Sequence, residues 1–335
     1  MKKILSRLFN NSFNSPAQKT KKWMLQRSGK ICASEVSGLI GKNPYTNINS
    51  SIKNKLYGKH VPNKYTLFGE KYEKIARDIH SIKENVITIE LNFLTDNEYK
   101  ILGASPDGLC FRVINKSKTE FILREIKRIL ENKQIFIELK EINNKIKIIF
   151  NQVNIDGYID KLNENEILEI FLREIKCPST TEVKDDYIPK QYRYQMLTQM
   201  SVCKVVKCNF VNNKFIEVNF DEFIKSDKIS GIILKYYDTK TYKNSYYYPE
   251  LNNYYYLKNN KIYGYKNRKL NMMKEIMYFM TMSESCNYEL SYWILSKQCI
   301  IPYIFDEQKF NFMIETLLET INSNNELNKL ITEHI

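Results

Sequence analysis

Glycine and proline are scarce, ten and eight among 335 residues. A chain so poor in both is neither collagenous nor a flexible low-complexity segment. Histidine is rarer still: His60, His80 and His334 are the full set, and no two stand at metal-ligand spacing. The seven cysteines (Cys32, Cys110, Cys177, Cys203, Cys208, Cys286, Cys299) include no CxxC pair. Zinc modules and four-cysteine iron–sulfur clusters are therefore excluded. An odd number of scattered thiols reads as reduced and mostly buried, which predicts an intracellular, reducing compartment. No apolar run approaches the length of about 18 residues that a membrane span needs. The opening MKKILSRLFNNSFNS has an apolar stretch too short and too interrupted for a signal peptide. Acids are missing from one region above all. Residues 1–60 hold twelve Lys/Arg against the single Glu35, so this part carries +11 of the net +13. Such a field attracts polyanions and is screened by salt. Nucleic acid is the expected partner, and a solubilising basic tail is the plainer alternative.

Apolar residues make up 43 %, enough for a sizeable core without disulfide staples. Residues 1–22 read as a flexible basic arm. Residues 23–335 read as one α/β domain, a central mixed sheet flanked by helices, with β-rich insertions at about 110–166 and 236–268. Ser34 has the look of a helix N-cap. Tyr72, Ile75, Ala76 and Ile79 recur at helical spacing within 65–83. Residues 86–94 alternate like a strand, and 99–113 read as strand, tight turn, strand. The β-branched runs FILREI, IFIELK, KIKIIF and ILEIFLREIK between 119 and 175 predict an antiparallel extension of the sheet. A helix is expected over 188–204, a hairpin over 205–219 turned at Asn212-Asn213, and further helices over 221–235, 269–283 and 306–332. Residues 236–265 hold eleven of the 24 tyrosines. They read as a half-buried sheet, with base stacking and phosphate contact as the alternative.

Two short motifs carry chemistry. In GASPDGL (103–109), Pro106 and Gly108 force a turn that presents Asp107 at a strand end. In LREIKCP (172–178), Glu174 and Lys176 lie two residues apart and so face one side of a strand. Burying such a pair in an apolar strand is costly unless the groups are paired or hold a metal. Together the motifs offer hard oxygen ligands for Mg²⁺ and a cation beside the phosphate: a phosphodiester-cleaving site of the PD-(D/E)xK pattern. The pentapeptide LREIK also occurs at 123–127, so Glu125 and Lys127 are an alternative pair. Seventeen residues lie between Asp107 and Glu125, whereas 66 separate Asp107 from Glu174. Asp156 and Asp160 could also contribute.

Five ordered blocks make the chain resemble the lambda-exonuclease/YqaJ-like viral recombinase family: RSGKICASEVSGLIGKNPY (27–45), FGEKYEKIAR (68–77), GASPDGL, EIKCP and YRYQMLTQMSV (192–202). The resemblance implies a PD-(D/E)xK restriction-endonuclease-like core. It implies a 5′-to-3′ exonuclease acting on duplex DNA with free ends in viral recombination, repair or replication, using two Mg²⁺ or Mn²⁺ ions. A structure-dependent endonuclease and a non-catalytic DNA-binding protein are the alternatives. Asp107, Glu174, the Ile175 backbone carbonyl and Glu73 would be metal ligands, with Lys176 and Gln195 completing the catalytic set. Arg27, Ser34 and Ser105 match residues that bind the 5′-phosphate, and Tyr192 would line the same groove. The Cys177-Pro178 that follows Lys176, and the distance from there to the glutamine helix, favour Glu174/Lys176 over the first copy. At 182 the family would suggest an arginine, and this chain has Glu182 with Lys184 nearby, which departs from a strict 5′-phosphate requirement. Such relatives work with a single-strand annealing protein and often as homo-oligomeric rings. The host cytoplasm or a viral replication site is the compartment this implies, with no membrane partner.

Overall fold

The computed structural model describes residues 1–16, 20–58, 62–114, 117–132, 136–142, 145–151, 154–259, 261–264, 267–284 and 287–333, with backbone only for 132 and for 136–151. Helix α1 (Lys2–Asn14) comes first, and it corrects the expectation of a flexible arm for these residues. Leu5, Leu8, Phe9 and Ser12 recur at helical spacing and are buried, with Phe9 set 6.2 Å from the Phe111 ring. The basic count had hidden this apolar stripe. Helix α2 (Lys21–Ser28) is capped by Thr20, which accepts from Trp23 N. Strand β1 (Ile31–Cys32) runs into α3 (Ala33–Leu39). Its cap is Cys32, in a capping box with Glu35, so Ser34 is an exposed residue of the first turn and not the cap. Helix α4 (Ile48–Tyr57) is capped by Asn47, and α5 (Lys64–Glu84) by Asn63. Tyr72, Ile75, Ala76 and Ile79 of α5 are buried as their spacing predicts.

The expected strand over 86–94 divides into β2 (Ile87–Ile89) and the start of β3 (Leu94–Thr95). The strand–turn–strand follows as β4 (Leu102–Ala104) and β5 (Leu109–Val113). The expected antiparallel extension is only partly present. FILREI belongs to helix α6 (Lys118–Asn132), because Ile122, Leu123, Ile126, Ile129 and Leu130 form one buried face. Strands β6 (Phe136–Ile142) and β7 (Lys145–Asn151) pair with each other and, among the described residues, with no further strand. Helix α7 (Ile155–Ile159) precedes β8 (Ile167–Lys176), and α8 (Lys190–Cys203) follows it.

No hairpin forms at Asn212-Asn213; β9 (Lys207–Val218) passes straight through. The Asn213 side chain is buried and accepts from Gln298 Nε2 at 2.8 Å, so a cross-strand bond replaces the turn. The helix expected over 221–235 shrinks to α9 (Phe220–Lys225) and gives way to β10 (Ser230–Asp238). Then come β11 (Lys243–Tyr247), β12 (Tyr255–Lys258), β13 (Lys261–Gly264), α10 (Arg268–Met282), β14 (Tyr288–Ile304), α11 (Glu307–Asn322) and α12 (Asn325–Thr332).

A mixed sheet of order β11-β10-β14-β9-β8-β5-β2 forms the centre. Within it β8 and β9 are parallel, and the other neighbours antiparallel. A smaller sheet, β1-β4-β3, stands beside it. One core packs α1, α3, α6, α8, α11 and α12 on one side, and a second packs α5 and α10 on the other. The fold is thus mixed α/β with helices on both faces of the sheet. The six described cysteines are all buried and free, and Cys286 lies outside the described residues. Among the described residues no helix is long and apolar enough to cross a membrane.

Candidate active site

Strand alternation sets the geometry of the site. Leu172, Glu174 and Lys176 face α8, whereas Arg173 and Ile175 face α5. Glu174 is fully buried. Its Oε1 accepts from Gln195 Nε2 at 2.7 Å and from Lys176 Nζ, and its Oε2 accepts from Gln199 Nε2 at 2.7 Å. Gln195 and Gln199 stand one helical turn apart on α8 and so reach the same carboxylate. Lys176 Nζ lies 4.9 Å from the Tyr192 ring centre, and that ring stacks on Phe210 at 5.5 Å.

Asp107 reaches Glu174's neighbourhood because β5 pairs with β8, Leu109 opposite Leu172. Its Oδ2 accepts from Ile175 N at 2.7 Å. Gly108 is required beside it: a Cβ there would meet Thr88 Cγ2 at 2.5 Å and Arg173 Nε at 3.0 Å. Arg173 is fully buried under this loop. It donates to Asp107 O (3.4 Å), Arg77 O (3.1 Å) and Ser81 Oγ (3.0 Å), and lies 3.3 Å from His80 Nδ1. Burial lowers the Arg173 pKa to about 10, which leaves it cationic at neutral pH. Burial, then the Arg173 charge, pushes His80 well below its usual value, so its ring is neutral.

Burial, followed by the charges of Glu174 and Glu73, raises the Asp107 carboxyl well above the usual carboxylate range; Lys176 and the Ile175 N–H offset this only in part. Burial pulls Lys176 down, but Glu174, Asp107 and Tyr192 outweigh it and hold the ammonium protonated. Carboxylates that oppose one another in a dry setting are what a divalent cation relieves. Among the described residues no group of three or more His, Cys, Asp or Glu stands at ligand distance. Asp107 and Glu174 are hard oxygen donors, the donor type that suits a divalent ion such as Mg²⁺. Glu73, on α5, acts on Asp107 through its charge, but its Oε1 accepts from Arg77 Nη2 at 2.8 Å, and Arg77 also pairs with Glu90.

At the Ser105 end of the Asp107 turn, Trp23 Nε1 donates to Ser105 Oγ at 3.4 Å, and the Arg27 guanidinium lies 4.2 Å from the Trp23 ring centre. Arg27 and Ser105 are thus brought together through Trp23, two residues from Asp107. Lys55 Nζ fixes this corner by donating to Arg27 O at 3.1 Å and to Glu35 Oε2 at 3.0 Å. Ser34, Glu182 and Lys184 are exposed.

The alternative pair is placed elsewhere. Glu125 and Lys127 lie on α6 and pair along their own helix, with Arg128 at 3.4 Å and Glu131 at 3.7 Å. Asp156 accepts from Ser6 Oγ at 2.5 Å and Asn10 Nδ2 at 2.9 Å, and the Asp160 carbonyl from Lys2 Nζ at 2.8 Å; both tie down α1. No motif in the sequence marks Gln199, Arg173 or Trp23 as site residues. Gln199 had a signal, its four-residue offset from Gln195, and Arg173 had another, a cation inside an apolar strand.

Residues 22–206, the segment that carries Asp107, Glu174, Lys176 and Gln195, match the family described as the YqaJ-like viral recombinase domain. The chain is 27 % identical over 212 residues to an uncharacterized protein of Acanthamoeba polyphaga mimivirus, covering 62 % of this chain and 31 % of that protein. It is 26 % identical over 150 residues to a protein of African swine fever virus, covering 40 % of this chain and 42 % of that one. It thus spans well under two thirds of either relative. Among solved structures, LHK-Exo in complex with dAMP aligns at 15 % identity and a TM-score of 0.43, over 94 % of this chain and 95 % of that one. The alkaline exonuclease LHK-Exo from Laribacter hongkongensis aligns at 17 % identity and a TM-score of 0.36, over 78 % and 92 %. The family match takes in more than half of the sequence, and the chain therefore belongs to the YqaJ-like viral recombinase domain family.

Proposed function

We propose that this chain is a divalent-metal-dependent deoxyribonuclease that hydrolyses duplex DNA from a 5′ end during viral or phage-type recombination, repair or replication. One observation carries the reading: β5–β8 pairing brings Asp107 beside Glu174 and Lys176, and two glutamines of α8 grip both oxygens of Glu174. A surface ion pair has no need of that support.

Asp107 and Glu174 would hold Mg²⁺ or Mn²⁺ with the Ile175 carbonyl as a further ligand, and Glu73 would join a two-ion site by exchanging its Arg77 partner for metal. When bound, such an ion polarises the scissile phosphate and lowers the pKa of a water. Lys176, protonated and hydrogen-bonded to Glu174, offsets charge on the phosphate as it builds up. Gln195 and Gln199 fix the Glu174 carboxylate in one orientation, and the Tyr192 ring centre lies 4.9 Å from the lysine ammonium. Arg173 holds the backbone of the Asp107 turn. Arg27, Ser105 and Ser34 would receive the terminal phosphate, an arginine fork with hydroxyls being suited to it.

The test is cleavage of linear duplex DNA labelled at either end of each strand, in Mg²⁺ or EDTA, beside a closed circle. Mg²⁺-dependent loss from 5′ ends with the circle spared supports the proposal. Nicking of the circle would replace it with an endonuclease, and binding without cleavage under any divalent metal would remove the enzyme altogether.

A further inference from the structure

Strands β12 and β13 form a ribbon in which Tyr256 pairs with Tyr263 and Lys258 with Lys261. The ribbon packs against α5, the helix that carries Glu73, and lies outside residues 22–206. Alternation divides its side chains. Tyr255 turns inward, buried, and its hydroxyl accepts from Ser230 N at 3.0 Å, while Ile262 packs on the second core. Tyr256, Lys258, Lys261 and Tyr263 turn outward. The two outer tyrosines are 40 % and 41 % exposed, and their rings stack at 5.8 Å with 28° between planes. Next along the ribbon, two lysines stand directly opposite each other. Like charges in that position destabilise a strand pair unless an anion lies over them.

We infer that this outer face binds single-stranded nucleic acid, with bases stacked on the Tyr256–Tyr263 pair and the backbone phosphates held by Lys258 and Lys261. Tyrosine and lysine positions follow one another at two-residue steps, about 7 Å along the strand, so base and phosphate contacts alternate along one direction. Aromatic stacking needs unstacked bases, which a single strand offers and an intact duplex does not. The lysine pair supplies the sequence-independent charge term. The use of this surface, holding a strand while the other is degraded, rests on the nuclease reading above; the binding itself does not.

The test uses the full chain in EDTA, where cleavage is off, and the fluorescence anisotropy of a fluorescein-labelled oligothymidylate. Tyr256→Ala with Tyr263→Ala should weaken binding about tenfold or more, while Tyr256→Phe with Tyr263→Phe, which keeps the rings, retains it. Lys258→Ala with Lys261→Ala should weaken binding and make its salt dependence shallower by about 1.4 in slope. Affinity for a blunt duplex should be unchanged in the tyrosine variant. Unchanged oligothymidylate binding in both alanine pairs, with cooperative melting retained, would overturn the inference. So would an effect of the lysines alone with polyglutamate competing as well as DNA, since the face would then be a charge patch for acidic protein. Loss of binding in a chain that never cleaves would leave this inference standing and remove the nuclease reading; cleavage with the ribbon variants binding normally would do the reverse.

Discussion

The pentapeptide Leu-Arg-Glu-Ile-Lys occurs at 123–127, in α6, and at 172–176, in β8. In the helix, Leu123 and Ile126 are fully buried while the three charged residues lie along the outer side. Arg124 pairs with Glu120 at 2.7 Å, Glu125 with Arg128 and Lys127 with Glu131, each within a turn of its own helix. In the strand, Arg173 and Glu174 are themselves fully buried, on opposite faces, and neither has a neighbour in sequence that could satisfy it in full. Their partners come from α5, from the Asp107 turn and from α8. The same three charged residues are therefore surface ion pairs in one place and, in the other, part of the polar cluster beside Asp107 proposed above as the active site. The difference lies in the strands on either side of β8, which exclude water, and in the two helices that supply polar groups where water is gone. A charge pair acquires chemistry when its desolvation is met from distant parts of the chain.

Substitutions made in parallel at the two copies sharpen this contrast. The largest difference is expected at the glutamates: Glu174→Gln should lower cleavage about a thousandfold, and Glu125→Gln should leave it within about twofold, read as initial rates on linear duplex. Next come the arginines. Arg173→Met removes charged hydrogen bonds to the Asp107 and Arg77 carbonyls and leaves them buried, so urea unfolding should show a loss of about 2 kcal/mol. Arg124→Met, on the exposed helix face, should stay within about 0.5 kcal/mol. Gln199→Leu, which frees Glu174 Oε2, should lower kcat about tenfold with KM little changed, because Gln199 is buried behind Glu174.

The smallest effect is on stability and depends on pH. Burial and the nearby carboxylates raise the Asp107 pKa in the folded chain. The folded form therefore binds a proton that the unfolded form has released. The stability this contributes is full below the unfolded pKa and is lost as pH rises through the folded one. Asp107→Asn should therefore raise the urea midpoint of the metal-free protein at pH 8 and change it less at pH 5, while added Mg²⁺ should stabilise the unsubstituted chain more at pH 8.

The residues of the candidate site, Asp107, Glu174, Lys176 and Gln195, each sit in a local pattern that the sequence shows: a Pro-Asp-Gly turn, a two-residue strand step, a glutamine on the following helix. No such pattern marks Arg173 or Gln199 as site residues, since what distinguishes them is burial against elements far away in the chain. The same limit explains the elements that differ. Asn212-Asn213 has the composition of a turn, but pairing with β14 on one side and β8 on the other makes a continuous strand cheaper. FILREI is β-branched in composition, yet its apolar residues fall at helical spacing once ILEN is read with it. In α1, six buried or half-buried apolar and small positions are interleaved with three cations that stay at the rim, so the charge of the segment masks its apolar stripe. Local chemistry is readable from few residues, whereas tertiary pairing overrides local composition.

The most direct test of the account compares Lys176→Ala with Lys127→Ala in one assay, measuring Mg²⁺-dependent cleavage of linear duplex DNA together with binding to the same DNA in EDTA. Loss of cleavage in Lys176→Ala with binding retained, and ordinary cleavage in Lys127→Ala, is the result this structure predicts. Undiminished cleavage in Lys176→Ala would contradict it, whichever way the helical copy behaves.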